Sequence, residues 1–142
     1  MAELVPGACV VRPLSGATLE SLVSQIGGLR HEVVVALLFD VRGILVTCLS
    51  GSEGTSASVR GRYRPLLKRI FDVDATGLVL VHNHPSGDPS PSEADIAATR
   101  QLAAIARAVE VEFFDHLVIA GRMAVSMRRA GLMISRPGRS KT

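Results

Sequence analysis

The sequence predicts a mixed α/β domain in which helices cover a mostly antiparallel sheet. Three observations predict it: apolar, β-branched runs of strand length, glycines between successive runs, and amphipathic stretches at helical spacing. In chain order, TLESLVSQIGGL at 18 to 29 puts Leu19, Leu22, Val23 and Ile26 on one helical face, with Thr18 as N-cap and Gly27 or Gly28 as the stop. HEVVVALLFD at 31 to 40 is apolar on both faces, as a buried strand is, and Gly43 turns it into a second strand, GILVTCLSG. RYRPLLKRIF at 62 to 71 reads as a helix with an early proline, TGLVLVHNH at 76 to 84 as another buried strand, and SEADIAATRQLAAIARAVE at 92 to 110 as an alanine-rich helix. VEFFDHLVIA and RMAVSM complete the pattern as two strands joined at Gly121.

At 142 residues and 47% hydrophobic content the chain is one domain's worth with an ordinary core. Its longest apolar run, VVVALLF at 33 to 39, is far shorter than a bilayer span, and MAELVPG lacks the basic-then-apolar pattern of a secretory signal. The expectation is a soluble, cytoplasmic protein with no membrane partner. Cys9 and Cys48 are too few for a disulfide framework or a thiolate cage and are expected to be reduced and packed. The net charge of +3 is uneven: residues 60 to 69 and 128 to 142 each carry five basic side chains and no acid, and without the second stretch the balance is 11 basic against 13 acidic. That stretch reads as a solvated tail, with contact to nucleic acid as the alternative.

The chemistry is concentrated in VHNHPSGDPSPSEAD, residues 81 to 95. In an extended strand His82 and His84 project from the same face, spaced for two imidazoles to share one cation, and Pro85 keeps His84 extended and ends the strand. Gly87, Pro89 and Pro91 turn the chain so that the next helix begins near the strand end. A carboxylate on its first turn could then complete a site of the kind zinc uses in catalysis, three protein ligands and one open position. Asp88, Glu93 and Asp95 are all near. Ser90 as N-cap, Pro91 at the first helical position and Glu93 at the third account for Ser90 and Glu93, and Asp88 before a proline is a turn residue. Ser92 and Asp95 remain, three apart on one helical face. A second capping register, Ser92 with Asp95 as its partner, competes with metal binding by His82, His84 and Asp95, and on local chemistry both stand.

The complete set, His82-x-His84, seven residues, Ser92, two residues, Asp95, resembles the H-x-H-x7-S-x-x-D signature of the JAMM (JAB/MPN) metalloproteases, and HNHPSGDPSPSEAD resembles its version in bacterial RadC proteins. With SASV at 56 to 59, Asp115-His116 and RRAGL after the closing strand, the likeness runs over residues 31 to 133. It implies a JAMM/MPN, cytidine-deaminase-like architecture. Residues 1 to 30 would then be an irregular segment and short helix packed on the core, 31 to 133 the RadC-like domain, and 134 to 142 a basic flexible tail. Full-length RadC proteins carry an N-terminal helix-hairpin-helix domain that residues 1 to 30 are too few to contain, so a stand-alone domain is expected.

The resemblance also implies zinc on His82, His84 and Asp95, Glu32 at the head of the first core strand as general base, and Ser92 as oxyanion donor. The substrate would be an amide in a peptide or an isopeptide-linked protein. His31 and His116 fall outside the metal spacing and are read as structural, with orientation of a ligand as the alternative; Asn83, pointing away from the ligands, is expected to bond the backbone. Competing functions are a DNA-repair-associated protein that binds nucleic acid or a repair partner, and a non-catalytic metal-binding MPN scaffold. Exposed strand edges make a homodimer a further expectation.

Overall fold

A computed structural model describes residues 16–52 and 63–133; Cys9, the SASV segment, Arg60, Arg62 and the tail from 134 onward lie outside them. The described residues form α1 (Gly16–Ile26), β1 (Val33–Phe39), β2 (Leu45–Ser52), α2 (Arg64–Asp72), β3 (Gly77–Asn83), α3 (Glu93–Ala108), β4 (Glu112–Ala120) and β5 (Met123–Ser126). Every expected element is present in the expected order. Gly43 and Gly121, at the two hairpin turns, adopt φ of 80° and 57°, the left-handed region that a side chain disfavours. The helix α1 spans Gly16–Ile26, so position 18, the expected N-cap, falls within the helix.

The sheet order is β2-β1-β3-β4-β5, with β3 and β4 parallel and the other pairs antiparallel. The parallel pair needs a crossover, which α3 supplies. The continuous apolar runs in β1 and β3 follow from burial on both faces. On one face Leu22 and Ile26 of α1 pack against Val35, Leu37, Val79 and Val81. On the other, Leu66 and Ile70 of α2 and Leu102 and Ala106 of α3 pack against Ala36, Leu38, Leu78 and Leu80. His82 shares the parity of Leu78 and Leu80, so it belongs to the α3 side.

A bulge in β4 changes which of its residues reach that side. Leu78 pairs with Phe113 but Val79 pairs with Asp115, so Phe114 is an extra residue. Without it, Asp115 would align with Leu80; with it, His116 does. Asp115 and Arg128 hold this kink. Asp115 Oδ1 accepts from the backbone N–H groups of His116 and Arg128, Oδ2 accepts from the Ser126 hydroxyl, and the Arg128 side chain donates to the carbonyls of Phe113 and Phe114.

The end of α1 is set by a close backbone approach. Gly27 O accepts from Gly121 N at 2.9 Å, and a Cβ on Gly27 would lie 1.9 Å from the Gly121 carbonyl oxygen and 2.6 Å from that of Val23. Backbone cannot swing aside as a flexible side chain can. Gly27→Ala is therefore expected to destabilise the fold by about 3 kcal/mol, read from the urea midpoint, and a loss under about 0.5 kcal/mol would contradict the packing of α1 on the β4–β5 turn.

Candidate metal centre

The site forms where the central pair β1 and β3 meets the start of α3. Val34 pairs with His82 in the antiparallel register, and continuing that register places Glu32 opposite His84, on the same side of the sheet as His82. His84 follows the strand, its backbone N–H held by Ile119 O at 2.8 Å. Gly87, at φ 89°, lets the loop double back, and Asp88 Oδ1 accepts from Ser90 N at 2.9 Å, the turn role expected of it.

The helix then begins in the second of the two registers. Ser92 is the N-cap: its Oγ accepts from Asp95 N at 3.0 Å, while Asp95 Oδ2 accepts from Ser92 N at 2.8 Å. The register with Ser90 as cap and Glu93 as its partner is not adopted, because Asp88 already engages the Ser90 backbone and Glu93 is the first helical residue. Capping and site formation prove to be one arrangement. The box fixes the Asp95 side chain, and the same Oδ2 lies 3.1 Å from His84 Nε2 and 3.5 Å from His82 Nε2.

Glu32, His82, His84 and Asp95 each bring a donor atom within 4.8 Å of all the others. His82 Nε2 is 2.9 Å from His84 Nε2 and 3.9 Å from Glu32 Oε1. A tetrahedral zinc with bonds of about 2.0–2.1 Å sets its ligand atoms about 3.3 Å apart, so His82, His84 and Asp95 have the spacing of three such ligands and Glu32 stands just outside them. The protonation pattern agrees. His84 Nδ1 lies 2.9 Å from the Asp88 carbonyl oxygen, which only accepts; a proton therefore sits on Nδ1, and Nε2 is the ring atom turned to the centre, where it can offer a lone pair to a cation. Burial opposes ionisation of Asp95, but the hydrogen bond that its carboxylate accepts from the Ser92 N–H favours the charged form, and the carboxyl lies well below the usual carboxylate range. Electron-rich atoms gathered this closely fit a cation.

Asn83 and His116 support this group. Asn83, fully buried, points to the α1 side as expected and bonds the backbone: Oδ1 accepts from Val33 N at 2.6 Å and Nδ2 donates to His31 O at 2.9 Å. The two contacts grip the chain on either side of Glu32. His116, read from the sequence as structural, places Nε2 2.7 Å from His82 Nδ1, and its own Nδ1 is 2.6 Å from Thr99 Oγ1. Burial, chiefly, pushes the His116 imidazole down to about 3, so it is neutral around pH 7. Thr99, one turn after Asp95, was not singled out in the sequence; threonine inside a helix carries no mark of such a role. Cys48 is a half-buried free thiol whose burial raises its pKa, the packed cysteine expected.

The profile of the RadC-like JAB domain matches residues 15–132, most of the chain. The chain belongs to the RadC-like JAB domain family. Among proteins similar to this RadC-like domain are a UPF0758 protein of Rhodobacter capsulatus, 42% identical over 97 residues covering 68% of this chain and 45% of that protein, and one of Neisseria meningitidis serogroup B, 37% identical over 109 residues covering 77% and 48%. A third, from Paraburkholderia xenovorans, is 35% identical over 107 residues covering 75% and 42%. The RadC-like chain thus spans under half the length of these curated relatives. Among the described residues no helix is long and apolar enough to cross a membrane.

Proposed function

We propose that this RadC-like domain is a zinc-dependent peptidase or isopeptidase acting on a protein substrate. The observation that carries the reading is the convergence of His82 Nε2, His84 Nε2 and Asp95 Oδ2 within 2.9–3.5 Å, with Glu32 beside them. Zinc held there would supply a Lewis acid that polarises the scissile carbonyl and acidifies water. Glu32, 26% exposed, is open to both water and substrate; it takes the proton of the attacking water and passes it to the leaving amine. Ser92 Oγ already accepts from Asp95 N, which orients the hydroxyl and leaves its O–H to donate to the oxyanion. The N-terminal end of α3 adds its positive dipole at the same place.

Glu32→Gln tests this reading because it keeps the shape and removes the base. The expected result is a turnover about 100- to 10,000-fold lower with zinc content unchanged, and accumulation of uncut substrates in a proteomic comparison with wild type. Indistinguishable substrate profiles would count against proteolysis.

A further inference from the structure

His82 and His84 reach the centre through the same ring atom, Nε2, but their other nitrogens are treated differently. His84 Nδ1 faces a backbone carbonyl, which settles its proton. His82 Nδ1 faces His116 Nε2 at 2.7 Å, and an imidazole nitrogen can donate or accept. The decision passes to the next contact. Thr99 Oγ1 has a second neighbour, Met127 Sδ at 3.7 Å, which can only accept; a hydroxyl proton turned to that sulfur leaves the Thr99 oxygen to accept from His116 Nδ1 at 2.6 Å, and this is the arrangement we infer. With its proton on Nδ1, His116 offers a bare Nε2, which accepts from His82 Nδ1. His82 Nε2 is then left with a lone pair toward His84 and Asp95.

We propose that His116 and Thr99 are positioning residues that keep the His82 proton on Nδ1 and so present Nε2 to the cation. The inference rests on the metal reading above and deepens it. The fold commits structure to this chain of contacts: the β4 bulge turns His116 to the α3 side, and Met127 N donates to His116 O at 3.0 Å, tying the segment after β5 to the same residue. His116 is 2% exposed and Thr99 fully buried, so water does not substitute for either contact. A neutral imidazole occupies the place where many metal-bound histidines have a carboxylate, which adds orientation without adding charge.

Two measurements test the proposal. Zinc affinity, by competition with a chromophoric chelator, is expected to fall about 10- to 100-fold in His116→Leu and toward the lower end of that range in Thr99→Val. His116→Gln, whose side-chain oxygen can accept where Nε2 did, is expected to recover most of the loss. Long-range proton–nitrogen correlation on the metal-free protein reads which His82 nitrogen carries hydrogen: Nδ1 in wild type and His116→Gln, with that preference lost in Thr99→Val. If His116→Leu does not fold, the Thr99→Val and His116→Gln pair carries the same comparison. Affinities within about twofold of wild type in both Thr99→Val and His116→Leu, or a wild-type His82 protonated on Nε2, overturn the proposal. A wild type that shows the Nδ1 proton but binds no zinc instead overturns the proposed function and leaves the positioning role standing.

Discussion

Metal-free protein is expected to take up one zinc ion per chain, and His84→Ala to weaken that uptake by at least about 100-fold. A three-ligand site shares its binding free energy among the ligands, and loss of one imidazole removes roughly 3 kcal/mol or more of it. His84 is the proposed ligand to choose. It sits beyond the end of β3 with its side chain 17% exposed, so truncation leaves no cavity in the core, whereas His82 is 3% exposed and bonded to His116. Asp95→Ala would lose the capping box together with the ligand, adding about 1 kcal/mol of helix destabilisation to whatever it does to the metal. Calorimetric titration of wild type and His84→Ala, with circular dichroism to verify equal folding, reads the difference. Zinc should also raise the melting temperature of wild type, by the equivalent of about 2.7 kcal/mol at a free concentration 100 times the dissociation constant, and leave that of His84→Ala nearly unchanged. Equal affinities in the two proteins would remove the site from His84.

Asn83→Ala is expected to destabilise the fold by about 2–4 kcal/mol and to reduce hydrolysis without reducing zinc content. The side chain is fully buried, and its two bonds complete the backbone of Val33 and His31, 50 and 52 residues away. Truncation strands an N–H and a carbonyl that β1 can no longer pair, at about 1–3 kcal/mol each when buried. The released segment carries Glu32 at its centre, so the proposed base loses its fixed position while His82, His84 and Asp95 keep theirs. Asn83→Asp separates the two bonds: an acceptor for Val33 N remains, but the donor to His31 O is replaced by an oxygen. Chemical denaturation and zinc stoichiometry measured on the same samples decide it. A variant as stable as wild type would show that the clamp contributes nothing, and one that loses zinc would place Asn83 in metal binding.

The strands and helices were legible because each burial pattern is local: VVVALLF and GLVLV are buried on both faces, and α1 and α3 repeat their apolar residues at helical spacing. His82 and His84 were legible as a pair because strand alternation alone puts them on one face. Asp95 was less so. The local rules supported two capping registers, and the structure adopts the one that uses Ser92 and Asp95, a choice made by Asp88 engaging Ser90 and by the Asp95 carboxylate lying against two imidazoles contributed by β3 and the residue after it.

By itself, then, the sequence determined the order of elements, the two faces of the sheet, the spacing of the histidines and the resemblance from which the roles of Glu32, Ser92, His82, His84 and Asp95 are proposed. Only the tertiary structure decided that Asn83 grips the chain around Glu32 and that His116 and Thr99 stand behind His82. Those contacts span from 17 to 52 residues of chain. One of them depends on a single extra residue in β4, which exchanges Asp115 for His116 on the site's side of the sheet. Periodicity cannot announce such a bulge, because a one-residue shift becomes meaningful only when a neighbouring strand fixes the register against which it is counted.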